Sequence, residues 1–332
     1  MNEHMRNRCI STLKGIACIL IVLIHCKFPG VIGELVVALA RPAVFYFFMV
    51  SGYFVYAEDN NKFANKVRRQ SYKVIKLTIV CFVVSFLWRI LYAFIGDAWT
   101  IQDVIHSIFN KTSIFRMIVF QSDIVLGPFW FLLALVVCYF AVYLIRKAGL
   151  ISICPYLIVI ALLLNVYLAE IRNDVELFYY RNFWLTGFPF YMMGYTIHQF
   201  WNSIEVFFKQ KSTVIGIIAG IVLTLVECLM LGHKVIYIGS IILIFFCFLY
   251  AIKNPSASIT PLEFIGDKLS MYVYCCHWFV IEALGTVFAK IGVTGSNVFQ
   301  YIYPLISVVC SLVLSFVIFK LTEQNSFLRK RV

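Results

Sequence analysis

The sequence contains no polar stretch long enough to fold as a second, water-soluble domain, and no internal repeat or low-complexity tract. Charge is sparse: 13% of residues are charged against 62% hydrophobic and 17% aromatic. With a mean hydropathy of +0.90, that composition excludes an ordinary soluble protein. A cleavable signal pattern is missing, because the first apolar run continues past any small-residue cleavage site, so it is expected to persist as a signal-anchor helix. No CxxC occurs among the 11 cysteines. Cys275 and Cys276 are neighbours whose side chains point about 100° apart on a helix, so they cannot share an ordinary bridge. With His and Cys scattered along the chain, no zinc spacing appears and no metal is expected. The cysteines read as small apolar packing residues.

Long apolar runs are what the sequence does have. Its 332 residues have room for about ten spans of roughly 20 residues. Runs at roughly 9–28, 32–57, 72–95, 128–146, 151–170, 184–201, 213–232, 235–252, 269–290 and 299–321 predict an all-α, polytopic membrane protein of about ten transmembrane helices. The net charge of +12 would suit a nucleic-acid binder, but its distribution does not. Lys and Arg collect on the segments that share a side with the N-terminus, most densely at Lys62, Lys66, Arg68, Arg69, Lys73 and Lys76. The opposite loops carry Asp97, Asp103, Asp123, Glu170, Asp174 and Glu176. This positive-inside asymmetry predicts both termini on the cytoplasmic side, with anionic lipid rather than nucleic acid as the partner of the basic run.

Within this apolar background, individual polar residues become informative. His25 lies deep in the first run, where an ionisable side chain is costly unless protein or water surrounds it, so its default reading is functional. Lys14 precedes it by eleven residues. At 100° per residue that is three turns plus about 20°, which places both on one helix face roughly 16 Å apart. Arg41 lies inside the second run and His277 near the middle of the ninth. Arg89 and Glu227 fall near outer helix ends and read as interfacial. The segment 101–120 is amphipathic and predicts a surface-lying helix.

Five sequence stretches follow in order: TLKGIACILIVLIHCKFPG, RPAVFYFFMVSGYFVY with its Ser51–Gly52 pair, GPFWFLLAL, RNFWLTGFPFYMMGY and SMYVYCCHWFVI, followed by a terminal FKLTEQ. In this combination the chain resembles the acyltransferase-3 family of integral membrane acyltransferases, of the cell-surface O-acetyltransferase type, from about residue 9 to 325. The resemblance implies a single transmembrane domain over residues 1–332 in a bacterial plasma membrane. It also implies transfer of an acyl group, most directly acetyl from acetyl-CoA, to a hydroxyl or amine acceptor at the outer face. That acceptor would be a polysaccharide, lipid or small metabolite.

Laid on this sequence, the resemblance makes His25, Arg41 and His277 the catalytic candidates. Lys14 becomes the candidate for the coenzyme A phosphates, a role that the basic run with Arg68 and Arg69 also suits on charge alone, and Arg181 (with Asn182 beside it) and Trp130 are candidates for the acceptor. Glu323 matches a terminal Glu of the family. Two departures are visible: Lys14 stands where Arg is commoner, and no proline follows Glu323. Lys offers a point charge without the bidentate fork of Arg.

The chemistry agrees with these residue types. Acyl transfer needs a base for the acceptor proton and donors for the developing oxyanion. Neutral imidazole suits the first role and a guanidinium the second. Plain readings stand beside these. Lys14 also suits a snorkelling, topology-setting charge, Arg41 an interfacial one, and His277 an interhelical hydrogen bond. A proton-coupled transporter or flippase would also bury Arg, His and Glu. It would more often show matching halves and paired broken helices, which are lacking here.

Overall fold

The structure, a computed structural model, describes residues 7–95, 100–122, 129–171 and 175–329. The acids Asp97, Asp123 and Asp174, the side chain of Glu170, and the cations Arg6, Lys330 and Arg331 lie outside the described residues. In chain order the helices are α1 (Arg8–His25), α2 (Gly30–Ala40), α3 (Pro42–Val55), α4 (Asn60–Ile95), α5 (Ile101–Phe109), α6 (Lys111–Phe120), α7 (Phe129–Lys147) and α8 (Cys154–Val166). They continue with α9 (Phe188–Gln199), α10 (Trp201–Phe207), α11 (Gln210–Leu231), α12 (Ile238–Lys253), α13 (Thr260–Phe264), α14 (Ser270–Ile291) and α15 (Asn297–Arg329).

No strand occurs among the described residues, and the protein is an all-α, polytopic membrane protein. Each of the ten apolar runs is helical. Among the described residues, eight helical stretches are long and apolar enough to cross a bilayer by themselves. The other two, 184–201 and 235–252, are the shorter α9 and α12. A π-turn at Phe183–Gly187 precedes α9, and Pro189 stands in its first turn.

Several boundaries differ from the sequence reading. The run expected at 72–95 belongs to a 36-residue helix that begins at Asn60. At 1.5 Å per residue that is about 54 Å, well beyond a hydrocarbon core of roughly 30 Å. The Lys- and Arg-rich first turns are therefore helical without having to enter hydrocarbon. The ninth span is helical from Thr260 onward, through a π-turn at Ile265–Leu269. The amphipathic segment is two helices, α5 and α6. They break at Asn110, whose side chain caps α6 by accepting the Ser113 N–H. Glu227 has a more specific job than an interfacial charge: its carboxylate accepts the Gly239 N–H at 2.8 Å, closing the start of α12.

The chain divides into two compact units, Met1–Tyr46 with Phe208–Val332, and Phe47–Phe207. In the first, α1 is the central element. Apolar contact alone gives little drive between helices in lipid, so close packing has to be built from small residues. Gly15 and Gly266 do this: a methyl on Gly15 would overlap the Leu262 carbonyl, and one on Gly266 the Ser11 carbonyl. The start of α1 is held by Arg8, which donates to the buried Glu263 at 2.9 Å, and by Asn7, which caps it and donates to Ala251 O. On α15, Ser307, Ser311 and Ser315 form a fully buried stripe at four-residue spacing.

The second unit is built on α4, α7, α8 and α9. Phe48 packs on Trp130 and Phe131 with ring centroids 6.0 and 4.6 Å apart. The Ser51–Gly52 pair has a concrete use, since any side chain at Gly52 would strike the Tyr191 backbone. Arg146 closes the end of α3, donating to the carbonyls of Ala57 and Glu58, to Asn60 Oδ1 and to the Tyr195 hydroxyl.

Candidate functional site

α1 ends at His25 because Phe28-Pro29-Gly30 follows, and proline cannot extend the helix. The end is pinned from behind, where Cys26 Sγ donates to Ser307 Oγ at 3.5 Å. On its other side His25 meets α14. Its ring centroid lies 5.4 Å from that of His277 and 5.0 Å from that of Trp278, the latter edge-on.

His277 is completely buried, and its Nδ1 lies 2.9 Å from Val273 O. A carbonyl only accepts, so the ring proton sits on Nδ1 and Nε2 carries the lone pair. That Nε2 is buried and has no hydrogen-bond partner among the described residues, and the same holds for Trp278 Nε1. An unpaired acceptor and an unpaired donor therefore stand on consecutive residues beside His25. Buried polar atoms are normally satisfied, so this pair stands out in an apolar interior. The structure thus brings together two of the three catalytic candidates. It adds Trp278, which its sequence context disguised as an ordinary membrane aromatic.

Lys14 lies on the same helix, eleven residues back. It is half-buried, with its Cβ against the position that a side chain on Gly266 would occupy. The absence of a Cβ at Gly266 is what leaves room there for the Lys14 Cβ.

Arg41, the third catalytic candidate, is half-buried at the junction of α2 and α3 and sits in a chain of polar contacts that the sequence reading missed. Its Nη2 lies 2.7 Å from His233 Nε2. His233 Nδ1 lies 2.9 Å from Glu34 Oε2, and Glu34 Oε1 accepts from Lys27 Nζ at 2.6 Å. Burial pushes the His233 imidazole below its ordinary range. Arg41 adds to that push and Glu34 opposes it. The sequence signal was the seven-residue spacing of Glu34 and Arg41, two turns apart on one face.

The remaining candidates belong to the second unit. Arg181 stacks its guanidinium over the Trp130 ring, 5.4 Å from the centroid, so these two do meet. The loop that carries Arg181 is fixed by the buried Asn165, which donates to Leu185 O and Thr186 Oγ1. Asn182 is a cap: its Oδ1 accepts the Leu185 N–H and its amide donates to Phe178 O and Tyr179 O. Arg68 and Arg69 are exposed on α4. At helical spacing Arg69 shares a stripe with Lys62, Lys66, Lys73 and Lys76; of these, Lys66 donates to Tyr56 O at 2.7 Å. Glu323 is exposed and pairs with Lys320 one turn back at 3.0 Å.

In comparison with known proteins, the model of a family described as an acyltransferase domain matches residues 7–320. No curated protein and no solved structure matches the chain. The match spans nearly the whole chain, including α1 with its paired Lys14 and His25, Arg41 and the His277 helix. The chain belongs to the acyltransferase-3 family of integral membrane acyltransferases.

Proposed function

We propose that this membrane acyltransferase moves an acetyl group from cytosolic acetyl-CoA to a hydroxyl or amine acceptor at the outer face of a bacterial plasma membrane, with both of its termini cytoplasmic. The acceptor class is a cell-surface polysaccharide, a lipid or a small hydroxyl- or amine-bearing metabolite. One observation carries the reading: His25 stands beside the buried, unpaired Nε2 of His277.

In this mechanism His25 takes the acceptor's hydroxyl proton as the acceptor oxygen bonds to the acyl carbon. The carbon–sulfur bond breaks, and the imidazolium returns its proton to the departing thiolate. His277 Nε2 shares the proton load as a neutral acceptor, and Trp278 Nε1–H serves as a donor for charge developing on the acyl oxygen. Lys14, placed about three turns toward the cytoplasmic end of α1, attracts the phosphates of the donor. The cations of α4, Arg68 and Arg69 among them, raise the local concentration of that polyanion and of anionic lipid. Arg41 faces the acceptor or the oxyanion.

The experiment is an assay of the purified protein in detergent with acetyl-CoA. Slow hydrolysis or saturable binding supports the reading, and indifference to acetyl-CoA supports a carrier instead. Mass spectrometry of wall polymers and lipids from a deletion strain then identifies the acceptor as the species that loses an acetyl mass.

A further inference from the structure

The contacts Lys27–Glu34–His233–Arg41 draw on three separate stretches of the first unit: the turn after α1, the α2 helix through its junction with α3, and the loop between α11 and α12. Only one protonation state of His233 fits them. Arg41 can only donate, so Nε2 at 2.7 Å must be the accepting nitrogen and the ring proton must sit on Nδ1, facing Glu34. A doubly protonated ring would set an N–H against the Arg41 N–H and place two cations in contact.

The charged and titratable groups around the ring are Glu34 and Arg41 from the α2 stretch, and Lys27 from the turn before it. Lys234 and Tyr237 stand on its own loop, and Cys228 and Glu227 on α11. Tyr237 fixes the loop by accepting the Lys234 N–H and donating to Gly232 O, each at 2.8 Å. It packs with Ala38 and Cys228 in a buried cluster. The loop backbone is thus held in place, while the His233 side chain is 41% exposed, so the adjoining solution reaches the ring.

We propose that His233 is a positioning residue for Arg41, a neutral-imidazole latch that holds the guanidinium in place and releases it when the adjoining solution turns acid. Burial and the neighbouring Arg41 depress the titration of the ring, so the latch stays closed through neutral pH and opens as pH falls through the lowered value. The inference rests on the reading of Arg41 as facing the acceptor or the oxyanion.

The test uses the full-length protein in detergent with acetyl-CoA as the probe, its hydrolysis followed from pH 5 to 8. Two protonations, at His25 and His233, make the wild-type rate fall by up to about a hundredfold per pH unit at the acid end. His233→Gln accepts from Arg41 and donates to Glu34 but cannot charge; its rate falls no more than about tenfold per unit. His233→Phe, which offers Arg41 no acceptor, is slower at every pH. A His233→Gln profile identical to wild type overturns the proposal. Failure of the wild type to hydrolyse acetyl-CoA counts against the acyltransferase reading instead. In that case NMR of histidine-labelled protein decides. Arg41→Ala is expected to raise the His233 titration midpoint and Glu34→Gln to lower it, and a midpoint indifferent to Arg41→Ala overturns the latch.

Discussion

His277 holds a buried, unpaired Nε2 beside His25, the two ring centroids 5.4 Å apart across α1 and α14. The Val273 carbonyl fixes this state by taking the Nδ1 proton. In an apolar interior an unmade hydrogen bond costs roughly 1–3 kcal/mol.

His25→Ala is expected to lower kcat by about 10²-fold or more, the usual scale for a lost acid–base group, while acetyl-CoA binding and membrane folding persist. Because the imidazole acts only when neutral, wild-type activity rises with pH and then levels off. A His25→Ala protein that folds, binds acetyl-CoA and acylates near the wild-type rate would remove His25 from the active site.

His277→Asn separates the two jobs of its ring. The Asn amide still offers a donor toward the Val273 carbonyl but has no basic nitrogen. Turnover is expected to drop about tenfold or more with little change in thermal unfolding. Loss of expression or stability with turnover intact would make the residue structural.

Lys14→Ala is expected to raise the KM for acetyl-CoA with kcat less affected, the pattern of lost uniform binding. Lys14→Arg keeps the charge and stays active. An unchanged KM in Lys14→Ala leaves Lys14 as a topology residue.

Gly266→Ala tests the seat of α1. The added methyl meets the Ser11 backbone, which cannot rotate away, so overpacking should cost about 1–3 kcal/mol. That cost would be read as a lower unfolding temperature in detergent. Gly295→Ala has open space around the new atom and serves as the silent control.

The sequence by itself determined the all-helical membrane class and the placement of Lys14 and His25 on one helix face. Hydrophobic length and helical period are local properties, so a run of apolar residues or an eleven-residue spacing reads directly from the chain. It also marked Arg181 and Trp130, although their stacking depends on a loop held by Asn165, 20 and 21 residues before its partners.

Only the tertiary structure decided which nitrogen of His277 is available, that Trp278 joins it, and that Arg41 is bound to a histidine 192 positions away. Those facts depend on which helices lie side by side. In lipid that pairing is set by where small residues such as Gly15 and Gly266 allow backbones to meet. Hydropathy is blind to those contacts, because a glycine at a helix crossing and a glycine facing lipid look alike in the sequence.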